Sequence, residues 1–170
     1  ISSFLVTNAQ FPEKITEMDL VTQLYVSIDA GTKEGLKKID RPLFRDFWER
    51  FLDSLEALAK KGQRTVYRLT LVKDHNTEEL DNYVELVRRG KPSFIEVKGV
   101  TYCGYSGASN LTMANVPYHH EVVDFCQKLM VRCLSLDNAW YRNGLLVQVR
   151  NDGNPNHQHH HPNHESNSWC

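Results

Sequence analysis

Thr65-Val66-Tyr67-Arg68-Leu69-Thr70-Leu71-Val72 and Phe94-Ile95-Glu96-Val97-Lys98-Gly99-Val100-Thr101 are two strand-like runs rich in β-branched and aromatic residues. Between them Thr77-Glu78-Glu79 opens a helix with acidic residues that suit its positive end, and Arg88-Arg89-Gly90 closes it. Two strands joined through a helix pair in parallel, because a tight hairpin cannot return the chain in the same direction. This unit sets the fold, and the rest of the chain repeats it.

Toward the N-terminus, Leu24-Tyr25-Val26-Ser27-Ile28-Asp29 reads as a strand broken by Gly31-Thr32-Lys33, with a polar loop expected as far as Asp40-Arg41-Pro42. Leu43, Phe44, Phe47, Trp48, Phe51, Leu52, Leu55 and Leu58 then recur at spacings of three and four. That period predicts one helix running to about Lys61 with Gly62 as its stop. Phe4-Leu5-Val6-Thr7 is a further strand, followed by a helix from Pro12 through Met18, where proline suits the first turn. Toward the C-terminus, Pro117 begins a helix carrying Val122, Val123, Phe125, Leu129 and Met130, and Leu145-Leu146-Val147-Gln148-Val149 offers one more strand. Strand and helix alternate four times, which predicts an α/β fold with about four β/α units, either part of a barrel or a doubly wound open sheet. A Gly-rich phosphate loop follows none of the strands, which disfavours a nucleotide-binding open sheet.

The 170 residues, 41% of them hydrophobic, suffice for a single core. The expected division is 1–133 for the barrel part and 134–170 for a His-rich, largely disordered tail. His157, His159, His160, His161 and His164 lie on that tail, where clustered histidines bind metal adventitiously, so no metal site is assigned to them. The net charge of −1 gives no global pull toward nucleic acid. Cys103, Cys126, Cys133 and Cys170 form no CxxC or CxxxCxxC spacing. No signal peptide or run of about 18 apolar residues is present, so a cytoplasmic protein is expected. The chain starts on Ile1 rather than methionine, directly on a strand, which reads as a piece of a longer domain.

In parallel α/β architectures ligands bind at the carboxyl ends of strands. The polar residues there are Thr7 and Asn8, Ser27 and Asp29, then Arg68 within the third strand and Lys73-Asp74-His75 after it, and Glu96 and Lys98 before Thr101. Asn8 and Asp29 serve equally as turn residues or as ligand contacts. Arg68 stands in mid-strand, where an unpaired charge is costly to bury, and Glu96 on the following strand is its natural partner. The pair is either a structural salt bridge or the lining of a polar pocket. Lys98 shares the face of Glu96 because it lies two positions on. Lys33, Lys37, Lys38, Arg41 and Arg45 form a local basic cluster, read either as a solvated face or as a contact to RNA phosphates.

The runs FLVTNAQFP from Phe4, LYVSIDA from Leu24, RPLFRDFWERFLDSLEAL from Arg41, QRTVYRLTLVKDHN from Gln63 and FIEVKGVTYCGYSGASNLTMANVPYHHEVVDF from Phe94 resemble the eukaryotic tRNA 4-demethylwyosine synthases. The likeness runs in order as far as about Phe125, and beyond about Gln127 the family pattern is lost.

The resemblance implies part of a (β/α)6 radical barrel in which a 4Fe-4S cluster cleaves S-adenosylmethionine to a 5′-deoxyadenosyl radical. It further implies lyase-class chemistry in which N1-methylguanosine of tRNA-Phe is condensed with pyruvate in wybutosine biosynthesis. The cluster-binding CxxxCxxC loop, the pyruvate-binding lysine and a flavin-carrying flavodoxin-like domain would all precede this sequence. Alone, therefore, the chain is expected to be inactive. By position in the barrel, Asn8, Ser27, Asp29 and Arg68 would contact the cofactor. Glu96 and Lys98 would face substrate, and Lys37, Lys38 and Arg41 would meet tRNA. The competing expectation is a non-catalytic tRNA-binding remnant of the same barrel.

Overall fold

The computed structural model describes residues 1–104, 111–135 and 146–149, of Leu146 the backbone only. Five strands alternate with helices: β1 (Phe4–Thr7), α1 (Pro12–Glu17), β2 (Gln23–Ile28), α2 (Lys33–Asp40), α3 (Phe47–Ala59), β3 (Arg64–Leu71), α4 (Leu80–Gly90), β4 (Phe94–Gly99), α5 (His119–Ser135) and β5 (Leu146–Val149). The strands are all parallel and lie in chain order, β1-β2-β3-β4-β5. A doubly wound sheet reverses its strand order at a switch point, and this one does not. It has the arrangement of a barrel wall.

Registration explains why one face of that wall is dry. Val26 pairs with Tyr67, and Tyr67 with Ile95; Ile28 pairs with Leu69, and Leu69 with Val97. Partners in register point to the same side. These six residues are all buried and join Ile15, Leu36, Phe51, Leu55, Leu58, Tyr83, Val87, Phe125 and Leu129 from the helices in one core. Helices α1, α3, α4 and α5 pack side by side in that order. They form a single layer on this face.

Two elements differ from the sequence expectation. The polar loop expected after Thr32 is instead α2, whose first turn is capped by the Thr32 hydroxyl accepting from the Gly35 amide at 3.1 Å. Its three lysines hide an amphipathic helix that needs only Leu36 in the core. The long helix expected from Leu43 begins at Phe47. Leu43 is 96% exposed, and Phe44 packs edge-on to Phe11 with ring centroids 5.4 Å apart. Smaller shifts follow the same logic. Helix α4 begins at Leu80 rather than Thr77, and the Glu79 carboxylate just before it accepts from the Gly31 amide and the Thr32 hydroxyl.

Leu146–Val149 pairs with β4 as the fifth strand, inside the range expected to be tail, while the five tail histidines lie outside the described residues. Among the described residues no helix is long and apolar enough to cross a membrane.

Candidate functional site on the open face of the sheet

The side chains that alternate with the core residues point to the other face. Register places Ser27 beside Arg68, Arg68 beside Glu96 and Glu96 beside Gln148, one row across four strands. Nearer the carboxyl ends Thr70 stands beside Lys98. Toward the amino ends the row is apolar: Val6, Tyr25, Val66 and Phe94. The open face thus grades from an apolar floor to a polar, charged mouth.

The charged pair is organised. Arg68 Nε donates to Glu96 Oε1 at 3.0 Å, and the guanidinium lies 4.8 Å from the centroid of the Tyr25 ring. Stacking and ion pairing together fix the plane of the guanidinium. Asp29 follows β2 directly; the Thr70 hydroxyl donates to its carboxylate, and Lys98 is close enough to act on it electrostatically. Burial pushes the Asp29 carboxyl above its ordinary value, and that hydrogen bond and the lysine oppose the rise. Asp29 is thereby a half-buried acceptor backed by a donor and a cation.

Five sequence-predicted residues, Ser27, Asp29, Arg68, Glu96 and Lys98, are therefore brought together around this mouth. Asn8 is exposed, one residue beyond Thr7, which pairs with Val26, so it stands level with Ser27. Lys37, Lys38 and Arg41 are exposed and belong to a separate rim on α2 and its C-cap.

Of three further supports, Asn76 and Glu79 were not anticipated from sequence, while Lys73 stood among the polar residues at the strand ends. Asn76, only 1% exposed, donates from Nδ2 to the Asp29 carbonyl at 2.9 Å and the Thr70 carbonyl at 2.8 Å, and accepts from the Val72 amide at 2.8 Å. Glu79 anchors the start of α2, as above. Lys73 Nζ reaches Glu121 Oε1 at 2.7 Å, while its backbone bonds Asn115 in both directions, which ties the segment before α5 to the end of β3. For Asn76 and Glu79, an asparagine soon after a strand is the one signal that sequence offered.

The described cysteines form no group that could hold an iron-sulfur cluster. Burial pushes the Cys126 thiol up to about 12 and the Cys133 thiol up to about 11, as suits thiols packed in the core. Cys103 is exposed and distant in sequence from both. Among the described residues no group of three or more His, Cys, Asp or Glu could hold a metal ion. The open face suits S-adenosylmethionine better: its carboxylates and hydroxyls could accept from ribose and amino groups, and Arg68 and Lys98 offer charge to a carboxylate.

An in-order parallel sheet, helices on one side only and a polar mouth on the other define a β/α-barrel wall. Residues 1–87 match the family model of the Radical SAM superfamily, and residues 89–138 match that of wyosine base formation. The chain belongs to the radical SAM superfamily. It is 71% identical over 130 residues to the S-adenosyl-L-methionine-dependent tRNA 4-demethylwyosine synthase TYW1 of Xenopus laevis, which covers 76% of this chain and 18% of that protein. It is 70% identical over 130 residues to the protein of the same name from Homo sapiens, with the same coverage. The Arabidopsis thaliana synthase is 68% identical over 132 residues, 78% of this chain and 20% of its own length. A solved structure of TYW1 with a lysine-pyruvate adduct bound superposes with a TM-score of 0.67 at 28% identity, covering 75% of this chain and 40% of that one. The chain spans about a fifth of the length of these curated relatives.

Proposed function

We propose that this chain forms one wall of a tRNA-modifying radical active site. The reaction is that of its relatives by name, S-adenosyl-L-methionine-dependent formation of 4-demethylwyosine in tRNA; N1-methylguanosine of tRNA-Phe and pyruvate are the substrates that the resemblance of the sequence implies. The observation that carries this reading is the Ser27–Arg68–Glu96 row with Asp29, Thr70 and Lys98 above it, a polar mouth at the carboxyl ends of parallel strands. In this reading Asn8, Ser27 and Asp29 accept from the ribose and amino groups of the cofactor. Arg68, held flat by Tyr25 and Glu96, meets its carboxylate. Glu96 and Lys98 face substrate, while Lys37, Lys38 and Arg41 hold tRNA phosphates.

The sequence contains no CxxxCxxC, and its described cysteines are unsuited to a cluster, so the chain alone is expected to be catalytically inert. Anaerobic iron-sulfur reconstitution of this chain tests that. The expected result is no stoichiometric 4Fe-4S absorption and no cleavage of S-adenosylmethionine; both appearing together would refute it. A second reading, a non-catalytic tRNA holder, is favoured by the exposed Lys37, Lys38 and Arg41. It predicts tRNA binding that weakens steeply with salt and is lost when the three are neutralised. Absence of binding at low salt removes it.

A further inference from the structure

Helix α3 ends just before β3 begins, so it carries the chain back from the carboxyl to the amino ends of the strands. Its start at Phe47, and the segment 41–46 before it, therefore lie at the same end of the sheet as Asp29. Phe44 confirms the placement by packing on Phe11, which follows β1. At this rim is an open pocket of about 510 Å3, lined by Lys37, Arg41 and Arg45 and by Pro42, Leu43 and Phe44. That volume falls within the roughly 300–1,000 Å3 of small-ligand sites.

The lining has two chemistries. Lys37, Arg41 and Arg45 are exposed cations, and no acidic side chain lines the pocket among the described residues. Leu43 is 96% exposed, an apolar side chain presented outward, while Phe44 is held by Phe11, edge-on, and by Arg50, whose guanidinium carbon is 4.4 Å from the ring centroid. A phosphate group alone would meet the positive charge of the pocket and leave the apolar part in water. An unstacked nucleotide supplies both halves, an anion and a flat apolar base.

We propose that this pocket seats one splayed nucleotide of a single-stranded RNA segment, its phosphate against Lys37, Arg41 and Arg45 and its base against Leu43 and Phe44. The inference rests on the reading above that the chain contacts tRNA, and it adds a base-binding subsite to what would otherwise be backbone contact alone. The exposure of Leu43 makes the test clean, since its replacement removes no core packing.

The whole chain is titrated at low salt with a fluorescein-labelled RNA pentamer and with an abasic pentamer carrying the same number of phosphates, read by anisotropy. Leu43→Ser is expected to weaken binding of the normal pentamer by about tenfold, the scale of one leucine side chain largely covered by a base, and to leave the abasic pentamer unchanged. The Lys37→Ala/Arg41→Ala double variant is expected to weaken both. Equal affinity of Leu43→Ser and the unsubstituted chain for the normal pentamer overturns the nucleotide pocket while leaving phosphate contact standing. No binding of either pentamer by the unsubstituted chain overturns the RNA reading and the pocket with it. Tighter binding of an oligoglutamate peptide than of the pentamer, lost in Leu43→Ser, would assign the pocket to an acidic protein segment and overturn the proposal.

Discussion

Arg68 and Glu96 face each other in register across β3 and β4, joined by a 3.0 Å hydrogen bond from Nε to Oε1 on the side of the sheet that the helices leave open. Their side chains are 24% and 15% exposed, so solvent screens the pair less than it does surface pairs such as Lys14–Glu17, at 74% and 66%. Removing one member leaves the other charge half-buried without its counterion. Arg68→Met or Glu96→Gln alone is expected to cost about 1–3 kcal/mol in urea unfolding. A double-mutant cycle should give a coupling of about 1–2 kcal/mol, against less than about 0.5 kcal/mol for the Lys14–Glu17 control. Coupling no larger than the control would show that the pair does not stabilise the wall.

Asn76 gives a second test, because its side chain uses three hydrogen bonds to join the ends of β2 and β3. Asn76→Ala leaves two carbonyls and one amide without their partner in a buried place, at an expected cost of about 2–4 kcal/mol. Asn76→Asp is the sharper variant. It retains an acceptor for the Val72 amide but sets an oxygen against the carbonyls of Asp29 and Thr70, so it should be destabilised as well, and more so at neutral pH than near pH 4 as the new carboxyl ionises. Urea midpoints at the two pH values measure this. An Asn76→Asp variant as stable as the parent at neutral pH would mean that the two carbonyls do not depend on this donor.

The difference between these two sites explains what sequence could reveal. Arg68 and Glu96 were legible because a charge in mid-strand demands a partner, and the strand period fixes which neighbour shares its face. The β3–α4–β4 unit was legible for a similar reason: the change from period two to period three-and-four occurs at marked boundaries. Asn76 was not, since its meaning lies in a bond to the carbonyl of Asp29, 47 residues away, which an asparagine soon after a strand does not by itself announce. Helix α2 was hidden because it needs only Leu36 in the core and takes its cap from Thr32, in a stretch that reads as charged loop. Leu43 and Phe44 fit the helical period of α3 by chance of spacing, yet tertiary packing of Phe44 on Phe11 holds them outside it.

The Asp29 carboxyl supplies the pH-dependent prediction. Its value in the folded chain lies above the ordinary 3.8, with burial as the main cause and with the Thr70 hydrogen bond and the charge of Lys98 acting the other way. The folded state thus holds this proton more tightly than the unfolded chain does. Between the two values folding carries extra bound proton, so stability must fall as pH rises through that window. The favourable contribution is complete below the unfolded value and is lost once pH passes the folded one. Asp29→Asn cannot ionise, and the stability of the variant minus that of the parent should therefore increase from pH 3.5 toward neutrality, a range set by the ~3.9 of an ordinary aspartate. Lys98→Met removes a charge that favours the ionised form, so it should push the Asp29 carboxyl higher still and carry the decline to higher pH. A parent-minus-variant difference that stays flat with pH would mean that Asp29 is solvated like an ordinary surface carboxylate, and the mouth would lose the half-buried acceptor on which its proposed role with ribose or amino groups depends.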